Sequence, residues 1–265
     1  MEEVNFNKPN KHEHLRSDIK PIIACMGSRI GHSVSEYGKY INPQEVVQAF
    51  DIYRTKPLEN VEEIDYAVDP EILKKEGFKS GGWGGGMGTY VISPVDSKDK
   101  FSKDYYDCTV LIATGLNKKT GENISFVSHQ KLSSILGKEK KIFVNDLEES
   151  LDEIKNKSIE KTIDVGILGG NYAENDYYKE NYIKSIELLK QRVFKKLGFY
   201  PEVIIGPKTI RGSETIFYKN ESKKVFVSIS SPDDITSSSF TPGFNSKDLR
   251  KKKEGWNSTK NEQRT

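Results

Sequence analysis

The chain has 265 residues, 35% hydrophobic and 30% charged, with a formal net charge of +2. That length buries one good core, and the high charged fraction points to a folded centre with solvated ends. A charge so near neutral gives no whole-chain attraction to nucleic acid or to a membrane surface, and no apolar run approaches the roughly 20 residues that a membrane span needs.

Residues 1–19 are polar, lack the apolar segment of a secretion signal, and read as a mobile arm in which His12 and His14 are solvated. The two cysteines, Cys25 and Cys108, make no disulfide framework, so a reduced, cytoplasmic setting is expected. Residues 20–28 (KPIIACMGS) read as a short buried strand with Cys25 in its core. His32, in RIGHSVSE, reads as a loop residue; its functional reading is a metal ligand. Residues 42–50 (NPQEVVQAF) suggest a helix with Pro43 in its first turn, and residues 70–75 a second short helix. Residues 20–80 together read as an N-terminal extension.

Residues 80–88 (SGGWGGGMG) are dense in glycine but lack the lysine–serine/threonine ending of a phosphate loop. They are expected to give close backbone approach beside a cleft, with Trp83 as a substrate-facing platform. Residues 89–93 form a strand stopped by Pro94, and a charged loop leads on to Cys108.

A β-hairpin follows. Residues 109–116 are apolar and rich in β-formers, residues 123–129 alternate, and Asn117-Lys118-Lys119-Thr120-Gly121 supplies turn chemistry with a glycine able to take positive φ. If residues 117–120 form the loop, Leu116 pairs with Gly121 and Cys108 lies opposite His129. Directly opposed residues share a face, with Cβ atoms about 4.5–5.5 Å apart. A thiol beside an imidazole is the minimum equipment for a cysteine nucleophile with a histidine base.

Residues 132–136 read as a helix and 141–144 as a strand. Asp146 is placed to cap a helix carrying Leu147, Leu151 and Ile154 at helical spacing. Residues 162–168 are a buried strand running into Gly169-Gly170-Asn171-Tyr172. Residues 176–197 are an amphipathic helix with Ile183, Ile186, Leu189, Val193 and Leu197 on one face and Gly198 at its left-handed cap. Residues 201–205 form a strand, and residues 215–218 and 224–229 a second hairpin. After residue 231 the composition is that of a disordered tail, with the run Arg250-Lys251-Lys252-Lys253 solvated.

The order of these elements resembles the chemoreceptor glutamine deamidases of bacterial chemotaxis, over roughly residues 85–230. Asp107-Cys108 before a hydrophobic strand is similar to that family's glycine-serine-cysteine nucleophile segment, with Tyr106-Asp107 standing where glycine-serine is usual. Ser128-His129 is similar to its alanine-histidine strand end. Ile167-Leu168-Gly169-Gly170 resembles its phenylalanine-glycine-glycine-alanine strand end. Ile205-Gly206 through Arg211-Gly212, then Ile216-Phe217 and Val225-Phe226-Val227, resemble its closing turn and hairpin.

The resemblance implies an α/β fold of the α+β kind over residues 81–230: a layered sandwich with a mixed central β-sheet flanked by helices. It also implies a hydrolase acting on a protein substrate that presents a glutamine side chain, with no metal and no cofactor. Cys108 would be the nucleophile of a thioester intermediate and His129 the base. The family orients its histidine with a threonine shortly before the cysteine; Ser102 is the nearest equivalent, with Thr89 and Ser128 as rivals. Trp83, Ser128, Gly169, Gly170 and Asn171 would line the substrate site.

The same fold group includes the deamidase domains of cytotoxic necrotizing factor toxins and the laccase-domain proteins. A laccase-like metal or purine-nucleoside site would need a third ligand such as His32, and Gln130-Lys131-Leu132 follows His129 where that family has glycine-tryptophan-arginine-glycine. A third reading is a non-catalytic binding module in which Cys108 is a small buried hydrophobe.

Overall fold

The computed structural model describes residues 21–26, 38–39, 61–64, 70–83, 87–105, 107–170, 176–204 and 213–230. The expected arm, the helix at 42–50, His32 and the tail after 231 lie outside them. The described chain forms two mixed β-sheets stacked face to face, with three of its four described helices over the outer face of the second.

The first sheet has the order β2-β1-β12-β11-β6-β3, made from β1 (Ile23–Met26), β2 (Gly38–Lys39), β3 (Val61–Ile64), β6 (Asp99–Tyr105), β11 (Ser213–Lys219) and β12 (Lys224–Ser230). The second has the order β10-β9-β7-β8-β5-β4, from β4 (Lys79–Trp83), β5 (Met87–Ile92), β7 (Thr109–Leu116), β8 (Asn123–Gln130), β9 (Asp164–Gly169) and β10 (Glu202–Val203). The helices are α1 (Pro70–Lys75), α2 (Leu132–Leu136), α3 (Lys140–Lys157) and α4 (Asp176–Leu197).

Strand β7 is buried on both faces, which is why it reads as an unbroken apolar run. Leu111 and Ala113 face the helices, packing with Phe126, with Phe143, Leu147, Leu151 and Ile154 of α3, and with Ile186, Leu189 and Val193 of α4. Val110 and Ile112 face the other way, joining Val127 and Leu168 against Ile216, Tyr218, Val225 and Val227 of the first sheet. The layered α+β sandwich expected from the sequence is therefore present, with helices on one flank of the central sheet and a second sheet on the other.

Four expectations are corrected. The charged loop before Cys108 is strand β6: Phe101 turns to one face, while Lys100 and Ser102 turn inward and are fully buried. Lys100 can be buried because its ammonium is ion-paired with Asp96. Residues 141–144 are not a strand but the first turn of α3, where Phe143 and Val144 begin the same apolar stripe as Leu147. Asp146 lies inside that helix, accepting the Tyr90 hydroxyl at 2.6 Å, while the cap residue Glu139 makes no side-chain cap bond.

Nor are residues 20–80 an appended extension in their described parts. Strand β1 runs parallel between β2 and β12, and β3 runs parallel to β6. The described residues of this stretch belong to the antiparallel strands β4 and β5, where Gly81 pairs with Tyr90. A Cβ on Gly81 would lie 2.3 Å from the Tyr90 ring, so this glycine admits a core tyrosine rather than a ligand. The short helix α1, the long helix α4 and its cap match expectation; the Gly198 N–H donates to the Phe194 carbonyl at 2.9 Å with Gly198 at φ +82°.

Candidate active site

The β7–β8 hairpin closes with Leu116 opposite Asn123, so its loop is residues 117–122 rather than 117–120. The turn is held by Gly121 N–H donating to the Asn117 carbonyl at 2.8 Å, with Gly121 at φ +73°. His129 is consequently opposite Val110, and Cys108 stands just ahead of the strand. The slip is of two residues, which preserves the face. Cys108 remains on the interlayer side with His129, as its diagonal rather than its direct partner, a relation that sets backbones about 7–8 Å apart and leaves side chains within reach.

Cys108 is 2% exposed. Its carbonyl accepts the Gly170 N–H at 2.9 Å, and Thr109 pairs with Gly169, so the end of β9 anchors the start of β7. Gly169 and Gly170 have φ +77° and +99°, which favour glycine. A Cβ on Gly170 would lie 2.5 Å from the Tyr182 ring of α4. The glycine pair thus seats helix against hairpin immediately behind the thiol. Asn171, expected beside them, lies outside the described residues.

His129 is fully buried, and its Nδ1 lies 3.1 Å from Ser102 Oγ. The two come from different sheets. Ser102 pairs with Ile216 of β11 and Ile64 of β3. Just beyond it the β6–β11 ladder slips: Glu214 to Ile216 is two steps, but their partners Tyr105 to Ser102 are three. Such a bulge bends a strand and re-aims side chains. Burial, with the Lys131 charge adding to it, pushes the His129 pKa down to about 3. The ring is therefore neutral, one nitrogen donating and the other accepting. In the tautomer whose Nδ1–H donates to Ser102 Oγ, Nε2 carries the basic lone pair.

The opposite face of the hairpin carries a second polar set that the sequence reading missed. Ser128 Oγ donates to Gln130 Oε1 at 2.5 Å, and Gln130 Nε2 donates to Thr109 Oγ1 at 3.1 Å, all three residues fully buried. Ser128, expected to line the site or to orient the imidazole, faces the helices and does neither. Thr89 donates its hydroxyl to the Glu139 carboxylate, not to His129. Trp83 ends β4 opposite Met87, at the same end of the sheet as His129. The missed set had one legible signal: residues 128 and 130 are both polar on the face that carries Phe126, where an apolar stripe was due.

Among the described residues no three His, Cys, Asp or Glu side chains gather to hold a metal ion, and no helix is long and apolar enough to cross a membrane. Cys25 pairs with Phe226 in the β1–β12 ladder of the first sheet. The sequence matches no protein-family model and none of the curated proteins compared with it.

Proposed function

We propose that the protein is a cysteine-dependent amidohydrolase acting on glutamine side chains of a protein substrate, with Cys108 as nucleophile, His129 as base and Ser102 as the group that orients the imidazole. The observation that carries this reading is the 3.1 Å contact between Ser102 Oγ and His129 Nδ1. It joins two sheets through the residue type and position that a cysteine–histidine–hydroxyl triad requires.

His129 Nε2 takes the proton from Cys108 Sγ, and the thiolate attacks the amide carbon. Backbone N–H groups beside Cys108 stabilise the oxyanion. The imidazolium protonates the departing ammonia, leaving a thioester. Water, deprotonated by the same imidazole, attacks the thioester carbon and releases glutamate and the free thiol. The neutral imidazole takes that proton only when bound substrate raises its pKa from about 3, so this reading requires substrate to change the surroundings of His129. The near-complete burial of the thiol suits a slender side-chain amide better than a folded main chain. The chemistry requires a reduced thiol, so this reading places the protein in the cytoplasm.

A non-catalytic module is the second reading, favoured by that same burial: a buried cysteine beside a neutral histidine is also an ordinary core arrangement. Ammonia release from denatured casein and from synthetic glutamine peptides distinguishes the two. Cys108→Ser and His129→Ala abolish release while far-ultraviolet circular dichroism stays native. Full activity in both variants would remove the site from the reading, and no activity in the wild type would favour the module.

A further inference from the structure

The inner face of the second sheet is arranged in levels. At the first level Leu168, Val110, His129 and Val91 lie side by side on β9, β7, β8 and β5. Gly166, Ile112 and Val127 make the next, apolar one. Below it lie Asp164, Thr114 and Ser125, directly opposed on β9, β7 and β8. The first sheet presents Tyr218 and Lys100, opposed on β11 and β6, to the same interlayer.

Thr114, Ser125 and Tyr218 are fully buried, and Thr114 Oγ1, Ser125 Oγ and Tyr218 OH have no hydrogen-bond partner among the described residues. An unsatisfied buried hydroxyl is destabilising. The Thr114 and Tyr218 hydroxyls lie close enough to bond each other, though not in full hydrogen-bond geometry; Ser125 Oγ has no such neighbour among the described residues, and one shared partner between the two sheets serves all three. The surrounding charges select its class. The Lys100 ammonium is unfavourable to a cation, while the Asp96 and Asp164 carboxylates are unfavourable to an anion. Asp164 is held by the Ile22 N–H at 2.9 Å and the Val165 N–H at 3.0 Å. Burial holds the Tyr218 phenol above its ordinary range, with the Thr114 side chain at hydrogen-bonding reach pulling the other way and Asp164 and Asp99 adding to the rise, so the phenol stays protonated and donates.

We propose that this level is an internal hydration site, in which ordered water accepts from Tyr218 OH and bonds Thr114 Oγ1 and Ser125 Oγ. A neutral molecule that both donates and accepts is what three such hydroxyls need, and a buried water making about three bonds is the common case. The site also bears on the level above. Lys100 and Ser102 share the inward face of β6, so water that ties Tyr218 to Thr114 and Ser125 fixes how the first sheet sits on the second, and with it the meeting of Ser102 and His129. The inference does not rest on the proposed amidohydrolase activity.

A crystal structure of the full chain at atomic detail tests it directly. The expected result is a solvent peak within hydrogen-bonding distance of all three oxygens; absence of solvent there, with the hydroxyls bonded to protein groups instead, would overturn it. The urea midpoints of Thr114→Val, Ser125→Ala and Tyr218→Phe give a second reading. Each is expected to fall, with the Ser125→Ala/Tyr218→Phe double variant falling less than the two shifts combined. Midpoints that stay level or rise would mean dry, unpaired hydroxyls and would sink the proposal. Should a variant fail to fold, the wild-type crystal structure still decides.

Discussion

The two faces of the β7–β8 hairpin solve the same problem in different ways. Under the helices, Ser128, Gln130 and Thr109 satisfy one another within the hairpin itself. Between the sheets, His129 finds its hydroxyl on a strand of the other sheet. A self-contained polar chain holds two strands in register wherever the hairpin goes. A contact made across layers exists only when the layers are stacked correctly. The helix-facing side therefore carries stability, and the interlayer side carries the geometry on which the proposed chemistry would depend.

The sharpest way to break that division is to disturb the seat of α4 against the second sheet. Gly170→Ala forces a Cβ to within 2.5 Å of the Tyr182 ring at φ +99°. Its expected cost is about 3 kcal/mol, read from the urea midpoint, and a cost below about 1 kcal/mol would show that α4 can yield. Gln130→Leu comes next. It strands the buried Thr109 and Ser128 hydroxyls, for an expected loss of about 2 kcal/mol. A neutral result would mean that the clamp is not what holds the register.

The interlayer side is expected to respond to acid. The folded-state pKa of His129 is lowered, so the unfolded chain takes up its proton near the ordinary pKa of about 6.5 while the native ring stays neutral. The contribution is fully present above pH 6.5 and is lost as pH falls from there toward 3, with a slope approaching about 1.4 kcal/mol per pH unit. Comparing wild type with His129→Asn across that window isolates the effect; identical pH profiles would refute it. Smallest in stability, though not in activity, is Ser102→Ala: about 1 kcal/mol or less, with ammonia release reduced on the order of 10²-fold. Equal losses of stability from Ser102→Ala and Gln130→Leu would erase the contrast between the faces.

The hairpin was legible in the sequence because alternation and turn residues are local signals. Its face parity was legible too, since Cys108 and His129 do share the interlayer. The register was not: Asn117 and Glu122 pair across the loop, through Asn117 N–H donating to the Glu122 carbonyl at 2.8 Å, and nothing in the composition of that loop distinguishes four residues from six. Strand β6 was hidden by its charges, because the neutralisation of Lys100 by Asp96 is a tertiary fact. Ser102 was reached by its offset from Cys108 in a family resemblance and not by any strand pattern. The segment at 141–144 looks like a strand by side-chain type, and only its continuity with Leu147 and Leu151 marks it as helix. Strands β1 and β3 left no trace of their place because parallel partners distant in sequence impose no local period.

That last pairing has a consequence for how the protein comes into being. All strands of the second sheet lie between Lys79 and Val203, whereas the first joins Ile23 of β1 to Lys224 of β12. Pairings across so many residues close slowly, after the local ones. A growing chain thus carries its hairpin, with Cys108 and His129 already on one face, well before β11 and β12 can hold β6 in place. Until β11 arrives, β6 lacks its antiparallel partner, and the imidazole lacks the fixed strand that presents its serine.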